Sequence, residues 1–101
     1  MKRVYRLTRS AKRDLQEISD YWVGRAGPDV ALTIMTGIVK TIITLSSQPN
    51  AGVLAPQFGS GVRKFPARDH VVYYRASGSA KIEILHVFHG ARNQERAWRS
   101  G

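Results

Sequence analysis

The chain of 101 residues contains no cysteine, which excludes disulfides and thiolate metal sites. Acidic side chains are scarce, with 7 Asp and Glu against 16 Lys and Arg, and the formal net charge is +9. A long hydrophobic run is missing too, because four threonines and Lys40 interrupt the most apolar stretch, residues 30–45. This argues against a membrane span, and the N-terminus has no apolar segment typical of secretion. We therefore expect one soluble domain, residues 1–101, in the cytoplasm.

The excess positive charge is unevenly distributed along the chain. Residues 1–13 carry six cations and no anion, residues 14–60 have a net charge of −2, and residues 61–75 have a net charge of +3. The basic regions coincide with the stretches predicted below to form strands, and with the C-terminal tail. A basic sheet indicates a nucleic acid or an acidic protein as partner. The alternative is a solvated basic surface that only aids solubility.

The first half of the chain has helical periodicity. Arg3 to Leu7 alternates like a short strand, and Thr8 follows as a helix N-cap. A helical stripe of apolar residues comes next, formed by Ala11, Leu15, Ile18 and Trp22, with Arg13, Asp14, Glu17 and Asp20 off that stripe. Gly24 and Gly27 are predicted to end the first helix and Pro28 to begin a second, over residues 29–46. Periodicity outweighs the weak helix propensity of its many Ile, Val and Thr residues.

The second half of the chain has the sequence pattern of a β-sheet. Residues 71–74 and 82–88 are two strand-like runs joined by a small polar loop around Gly78, which predicts a hairpin. Both faces of the second run are largely apolar, so it is predicted to be central, with Ile82, Ile84, His86 and Phe88 on one face. Residues 62–65 form a further strand, and residues 92–101 a loose tail or a short helix. The order β-α-α-β-β-β predicts an α+β domain, a helical hairpin on a small, mainly antiparallel sheet.

A set of residues in this order resembles the ParE-type toxins of the RelE/ParE superfamily. The pattern extends over most of the chain and comprises Tyr5, Leu7, Thr8, Ala11, Asp14, Leu15, Ile18 and Tyr21, then Pro28, Ala31, Ile38, Ile42 and Leu45, then Pro49, Gly52, Gly61, Arg63 and Tyr74, and finally Ile82, Ile84, Val87, His89, Gly90, Ala91 and Arg92. The resemblance implies the toxin of a bacterial type II toxin–antitoxin system. Its implied partner is a ParD-like antitoxin that orders on binding, in a heterodimer or heterotetramer. No cofactor is implied.

Two activities occur on this fold, and fold alone does not choose between them. ParE-type members poison DNA gyrase, whereas RelE-type members cleave mRNA on the ribosome. The nuclease alternative would use Arg63 to bind phosphate and His89 as general acid or base. Residues 41–62 contain no Lys or Arg, although RelE-like sites are rich in cations ahead of Arg63. We therefore expect gyrase inhibition by binding. A basic nucleic-acid-binding module without toxicity is a further alternative.

Candidate site residues follow from these expectations. We predict that the basic sheet and the strand exit contact the target through Arg63, Arg75, His89 and Arg92. The first helix is predicted to contact the antitoxin through Leu15, Ile18, Tyr21 and Trp22, with core packing as the alternative. His89 has the alternative of hydrogen-bonding at the strand end, and Arg63 that of pairing with Glu83 or with the C-terminal carboxylate region. His86 is expected to be a buried, hydrogen-bonded histidine. It points away from His89, so a shared metal is not predicted.

Overall fold

The computed structural model describes residues 3–78, 80–92 and 94–100. Ser79 and Asn93, from the predicted hairpin loop and strand exit, lie outside the described residues. The chain forms a first strand, two long helices, the remaining strands and then a short helix. In order, the elements are β1 (Arg3–Leu7), α1 (Arg9–Ala26), α2 (Pro28–Ser47), β2 (Val53–Leu54), a 3-10 helix (Pro56–Phe58), β3 (Arg63–Ala67), β4 (His70–Ala76), β5 (Ala80–His89) and α3 (Gln94–Ser100).

The helical hairpin forms for the reasons predicted. The Thr8 hydroxyl accepts the Ala11 amide at 3.1 Å and thereby caps α1. Helix α1 continues through Gly24 and ends at Gly27, where φ is 91°, so the prediction that Gly24 ends it is wrong. Glycine at 27 supplies the left-handed turn, and Pro28 begins α2. Length and composition alone would let α2 cross a membrane, but its buried face, including Ile38 and Ile42, packs in the core.

Among the described residues, the sheet has five strands in the order β1-β5-β4-β3-β2. Strand β5 lies between β1, which is parallel to it, and β4, which is antiparallel. The α+β prediction and the central position of β5 are therefore confirmed. The two-residue strand β2 and the 3-10 helix were not predicted, since both are too short to produce a periodic signal. Strand β3 extends through Pro66 to a tight turn at Arg68, where φ is 57°.

The two faces of the sheet bury different clusters. Ile82, Ile84 and Val87 face the helices in a mainly aliphatic core, whereas Leu85 and Phe88 face a second, more aromatic cluster. The predicted single face of Ile82, Ile84, His86 and Phe88 is therefore wrong. In the β4–β5 ladder Tyr74 is opposite Ile84 but Tyr73 is opposite His86, so Leu85 is an extra residue in β5. This β-bulge shifts the alternation by one residue, which no local pattern revealed.

Helix α3 covers the second cluster, and the C-terminal tail is therefore a short helix. Ala97 is buried, and the Trp98 ring lies 4.6 Å from the His86 ring and 4.9 Å from the Phe58 ring, measured between centroids. The Tyr73 hydroxyl donates to the Gln94 side-chain oxygen. Burial raises the pKa of Tyr73, and the nearby Glu95 carboxylate raises it further. Strand β5 is thus covered on both faces.

Candidate functional site

A cavity of about 310 Å³ lies where the C-terminal half of α1 crosses the end of β5. Its walls combine apolar and polar side chains. They are Ile18, Tyr21, Trp22, Val87 and Phe88, together with Asp14, Glu17, His70, His89 and Arg92. We call this region the open end of the sheet. Apolar walls with a few polar groups are the usual composition of a binding cavity.

Two imidazoles meet at the open end. His70 and His89 are opposite each other in the β4–β5 ladder, with ring centroids 5.5 Å apart. Burial lowers the pKa of His70, the charge of His89 lowers it further, and Asp69 opposes both effects. His89 is exposed, and its Nδ1 accepts the Ala91 amide at 3.2 Å. This is the strand-end hydrogen bond named above as the alternative role of His89.

Arg92 leaves the sheet in the turn that follows β5. The Arg92 amide donates to the His89 carbonyl at 3.0 Å, which closes the turn. The guanidinium carbon of Arg92 lies 5.3 Å from the centroid of the Phe88 ring, within cation–π range. The residue is exposed. Arg92 is therefore held at the rim of the cavity with its charge accessible to a partner.

A buried hydrogen-bonded pair supports the floor of the cavity. Strand β1 ends at Leu7, opposite Ile84, so the last residues of β5 have no strand beside them on that side. The Asp14 carboxylate accepts the Val87 amide at 3.1 Å and lies 2.7 Å from Nδ1 of His86, and both side chains are buried. The sequence places Asp14 off the apolar stripe of α1. Asp14 is buried because its carboxylate accepts the Val87 amide, which has no neighbouring strand to bond to on that side. The prediction that His86 is buried and hydrogen-bonded is confirmed.

At the other end of the sheet, which we call the closed end, the side chains are occupied within the chain. The Tyr74 hydroxyl accepts the Gly52 amide and donates to the Pro49 carbonyl, both at 2.8 Å. Arg63 donates to the Gly52 carbonyl at 2.7 Å. A Cβ at position 52 would lie 2.5 Å from the Tyr74 hydroxyl, so this approach requires glycine. These contacts fasten the loop after α2 to the sheet.

Glu83 also belongs to the closed end. Its carboxylate accepts from Arg6 and from Arg75, the latter at 3.4 Å, and both arginine side chains remain about half exposed. The predicted alternative that Arg63 pairs with Glu83 is wrong, because Arg63 is directed to Gly52 instead. Each pair therefore joins a buried carboxylate to a half-exposed guanidinium.

The structure separates the four residues predicted to contact the target. His89 and Arg92 share the open end, whereas Arg63 and Arg75 lie at the closed end. Of the residues predicted to contact the antitoxin, three line the cavity, namely Ile18, Tyr21 and Trp22. Leu15 packs against the aliphatic core instead. Their roles in binding stay predictions.

Comparison with known proteins gives the family. The family model described as the ParE toxin of the type II toxin–antitoxin system parDE matches residues 5–94. The chain belongs to the ParE toxin family. It is 33% identical over 89 residues to toxin ParE1 of Caulobacter vibrioides, which covers 88% of this chain and 91% of that one. It is 28% identical over 92 residues to toxin ParE1 of Mycobacterium tuberculosis, covering 91% and 94%.

A solved structure agrees with this assignment. A chain of the chromosomal ParDE toxin–antitoxin system of P. aeruginosa superposes with a TM-score of 0.71 at 30% identity, over 88% of this chain and 96% of that chain. The predicted ParE-type toxin is thereby confirmed. Four residues that carried the ParE resemblance, Pro49, Gly52, Arg63 and Tyr74, form the hydrogen-bonded unit of the closed end. In this ParE-family toxin, that part of the resemblance reflects how the loop is fixed.

Sequence reasoning missed His70 as a neighbour of the site. If the β4–β5 register continued unchanged from the hairpin loop, His70 would be opposite Phe88. Because Leu85 is an extra residue in β5, His70 is opposite His89 instead. The bulge was the missing information. Asp14 and Glu17 were also missed, since acidic residues off an apolar stripe normally face solvent.

Proposed function

We propose that this ParE-family toxin inhibits DNA gyrase by binding, without chemistry of its own. The observation that carries the proposal is the separation of Arg63 from His89. Arg63 pairs with Tyr74 and His89 with His70, and four residues of strand at about 3.3 Å each put these β4 positions about 13 Å apart. An acid–base group and a phosphate-binding cation must both reach one phosphodiester, at about 3 Å. This separation, with the Arg63 guanidinium bonded to the Gly52 carbonyl, argues against Arg63 and His89 acting together as an RNase pair.

The antitoxin is proposed to cover the tip of the helical hairpin and the cavity beside it. Four large apolar side chains are exposed there, Tyr21, Val23, Val30 and Leu32. All four lie within six residues of the turn at Gly27, and large apolar side chains exposed in one region of a surface are typical of protein interfaces. Ile18 and Trp22 continue this surface into the cavity. We propose that a segment of a ParD-like antitoxin binds here and orders on binding, in a heterodimer or heterotetramer.

Neutralisation follows from the shared cavity in this proposal. Tyr21 and Trp22 line the same cavity as His89 and Arg92. An antitoxin segment bound to the two aromatic rings therefore covers the cationic exit that is proposed to contact gyrase. Gyrase is a cytoplasmic enzyme, so the proposal includes a cytoplasmic location.

Supercoiling by purified gyrase tests the proposal. The toxin is added after release from its antitoxin, and its folding is checked by rebinding of the antitoxin. Inhibition that is reversed by added antitoxin, together with trapped double-strand breaks, is the expected result. Full supercoiling in the presence of a toxin that still rebinds its antitoxin would refute gyrase as the target.

The alternatives have their own signatures in parallel assays. A ribosome-dependent nuclease would produce new mRNA ends in a translating extract, and both Arg63→Ala and His89→Ala would abolish them. A plain nucleic-acid-binding module would bind DNA with a steep salt dependence and leave gyrase active. Either result, with unaffected supercoiling, would replace the proposal.

A further inference from the structure

His70 is a buried imidazole that makes no hydrogen bond to any other residue that the structure describes. Only 4% of the residue is exposed, and its side chain borders the cavity at the open end and a second cavity between α2 and the turn after β3. Every described side-chain nitrogen that is sealed from solvent has a partner, so the nitrogens of His70 reach these cavities. A buried polar group without a hydrogen bond is often completed by water or an ion. His70 is therefore a candidate ligand.

His89 places a second imidazole directly beside the first. The two residues are opposite each other in the β4–β5 ladder, so their side chains lie on the same face of the sheet. The ring centroids are 5.5 Å apart, and the ring planes are nearly perpendicular, at 84°. Two imidazoles that bind one tetrahedral Zn²⁺ through nitrogens at about 2.1 Å have their centroids about 5.2 Å apart. The pair is thus close to the spacing that a shared metal ion requires.

The backbone holds the two imidazoles in this arrangement. The Gly90 amide donates to the Asp69 carbonyl at 2.7 Å, so the residue before His70 is tied to the residue after His89. A Cβ at position 90 would lie 3.3 Å from the Asp69 carbonyl oxygen, which shows how closely the two strands approach. Ligands on paired strands are positioned more precisely than ligands on loops. A metal ion would therefore bind without a large rearrangement of the backbone.

The wall of the cavity is acidic in comparison with the rest of the chain. Two of the seven acidic residues, Asp14 and Glu17, line it together with one cation, Arg92, so the lining has a formal charge of −1 with neutral histidines. The whole chain has a formal net charge of +9. Asp14 is engaged by His86, whereas Glu17 is exposed. The carboxylates favour a cation at this place and oppose an anion that would bind to Arg92.

We propose that His70 and His89 together bind a divalent transition-metal ion of the zinc class at the open end. Imidazole nitrogen suits such ions, whereas Mg²⁺ and Ca²⁺ prefer oxygen ligands. Within the described ranges, no third histidine, aspartate or glutamate completes the group. The other two positions of a tetrahedral ion are therefore left for water or for a donor side chain of a bound partner. The inference does not depend on gyrase as the target.

Metal binding has a specific consequence for the turn after β5. Nδ1 of His89 accepts the Ala91 amide at 3.2 Å, so the proton of the neutral ring is on Nε2. Coordination through Nε2 moves this proton to Nδ1, and coordination through Nδ1 displaces the amide. By either route the Ala91 amide loses its acceptor. This hydrogen bond is exposed, so water can replace the acceptor.

A zinc titration of the full chain, free of antitoxin and without a purification tag, tests the proposal by NMR. Zn²⁺ is expected to shift the imidazole nitrogen signals of His70 and His89 and, in parallel, the amide signal of Ala91. The signals of His86 should stay in place, because its Nδ1 is engaged by Asp14. Mg²⁺ at the same concentration should shift none of them.

Three outcomes of this titration would overturn the proposal. Equal shifts with Mg²⁺ and Zn²⁺ would reduce the effect to attraction by the carboxylates. Zinc shifts at one imidazole alone would show that the pair does not share an ion. Shifts of both rings by inorganic phosphate, with none by Zn²⁺, would assign the pair to an anion instead.

Variants compared by titration calorimetry identify the ligands. Loss of a hydrogen-bond partner behind a metal ligand already costs about tenfold in affinity. His89→Gln, at an exposed position, should therefore weaken zinc binding by at least about tenfold, as should His70→Gln, whose fold is checked from its NMR spectrum. Asp20→Asn, with an exposed carboxylate on α1, is the matched control and should change the affinity by less than about twofold. Unchanged zinc affinity in folded His89→Gln would refute the shared site.

Discussion

The two ends of the sheet use similar residues for different purposes. At the closed end, Arg63 is hydrogen-bonded to the Gly52 carbonyl, and Arg6 and Arg75 share the Glu83 carboxylate. At the open end, His89 and Arg92 make local turn contacts and face a cavity with aromatic walls. A cation whose hydrogen bonds are made within the chain contributes to the fold. A cation beside an apolar cavity remains accessible to a partner.

The comparison therefore predicts a division of mutational effects. Substitutions at the closed end are expected to lower the free energy of unfolding with little change in target binding. Substitutions at the rim of the open end are expected to do the reverse. The exception is the buried pair beneath the cavity, because Asp14 and His86 are part of the fold although they lie beside the site.

Asp14→Ala should have the largest effect. It leaves the Val87 amide and the His86 imidazole buried without their acceptor, which should lower the free energy of unfolding by about 3 kcal/mol in a urea titration. Asp20→Ala is the control on the same helix, where the carboxylate is exposed, and should cost less than about 0.5 kcal/mol. Equal losses in the two variants would contradict the supporting role of Asp14.

Gly52→Ala tests the closed end. The new Cβ would lie 2.5 Å from the Tyr74 hydroxyl and 2.9 Å from the Lys64 carbonyl oxygen, so the loop must move and its hydrogen bonds weaken. A loss of about 2 kcal/mol in unfolding free energy is expected. Gly37→Ala is the matched control in α2, where nothing lies within 4 Å, and it should stabilise the protein by about 1 kcal/mol. An unfolding free energy of Gly52→Ala equal to that of the wild type would show that the hydrogen bonds around Gly52 do not hold the loop against the sheet.

Arg92→Ala and Arg75→Ala compare the two ends directly. Arg92 is exposed and makes only local turn contacts, so Arg92→Ala should keep the free energy of unfolding within about 0.5 kcal/mol. Arg75→Ala removes one of the two arginines paired with Glu83 and should lower the free energy of unfolding by up to about 1 kcal/mol. Loss of the Arg92 charge should raise the toxin concentration needed to inhibit gyrase by about tenfold, or about 1.4 kcal/mol, whereas Arg75→Ala should change it by less than about twofold. A larger effect of Arg75 would reverse the assignment of the two ends and restore the basic closed end as the contact surface.

Sequence reasoning succeeded where periodicity is long. The capping Thr8, the helical stripe, the turn at Gly27 and Pro28, and the central strand β5 all follow from patterns of several residues. The ParE resemblance rests on the same extended pattern. Helix α2 formed despite its unfavourable propensities because its apolar face, including Ile38 and Ile42, packs against the sheet.

The site was harder to predict from the sequence because its composition depends on the register of strand pairing. One extra residue, Leu85, decides that His70 and not its neighbour meets His89, and nothing local announces a bulge inside an apolar strand. The separation of Arg63 from His89 likewise depends on where each strand pairs. The partner of Arg63 is a backbone carbonyl 11 residues away, which no charge pattern encodes. The residue types at the site could be predicted from the sequence, whereas their grouping in space depends on how the strands of the sheet pair.

The smallest expected effect concerns pH at the open end. Burial and the neighbouring His89 keep the pKa of His70 below 6.5 in the folded chain, although Asp69 partly opposes this. As the pH falls through 6.5 towards that lowered pKa, the unfolded chain binds protons first, so the free energy of unfolding should decrease. In urea titrations His70→Gln should flatten this dependence, whereas His89→Gln should only reduce it, since burial remains the larger cause. A full pH dependence in His70→Gln would show that another group titrates there.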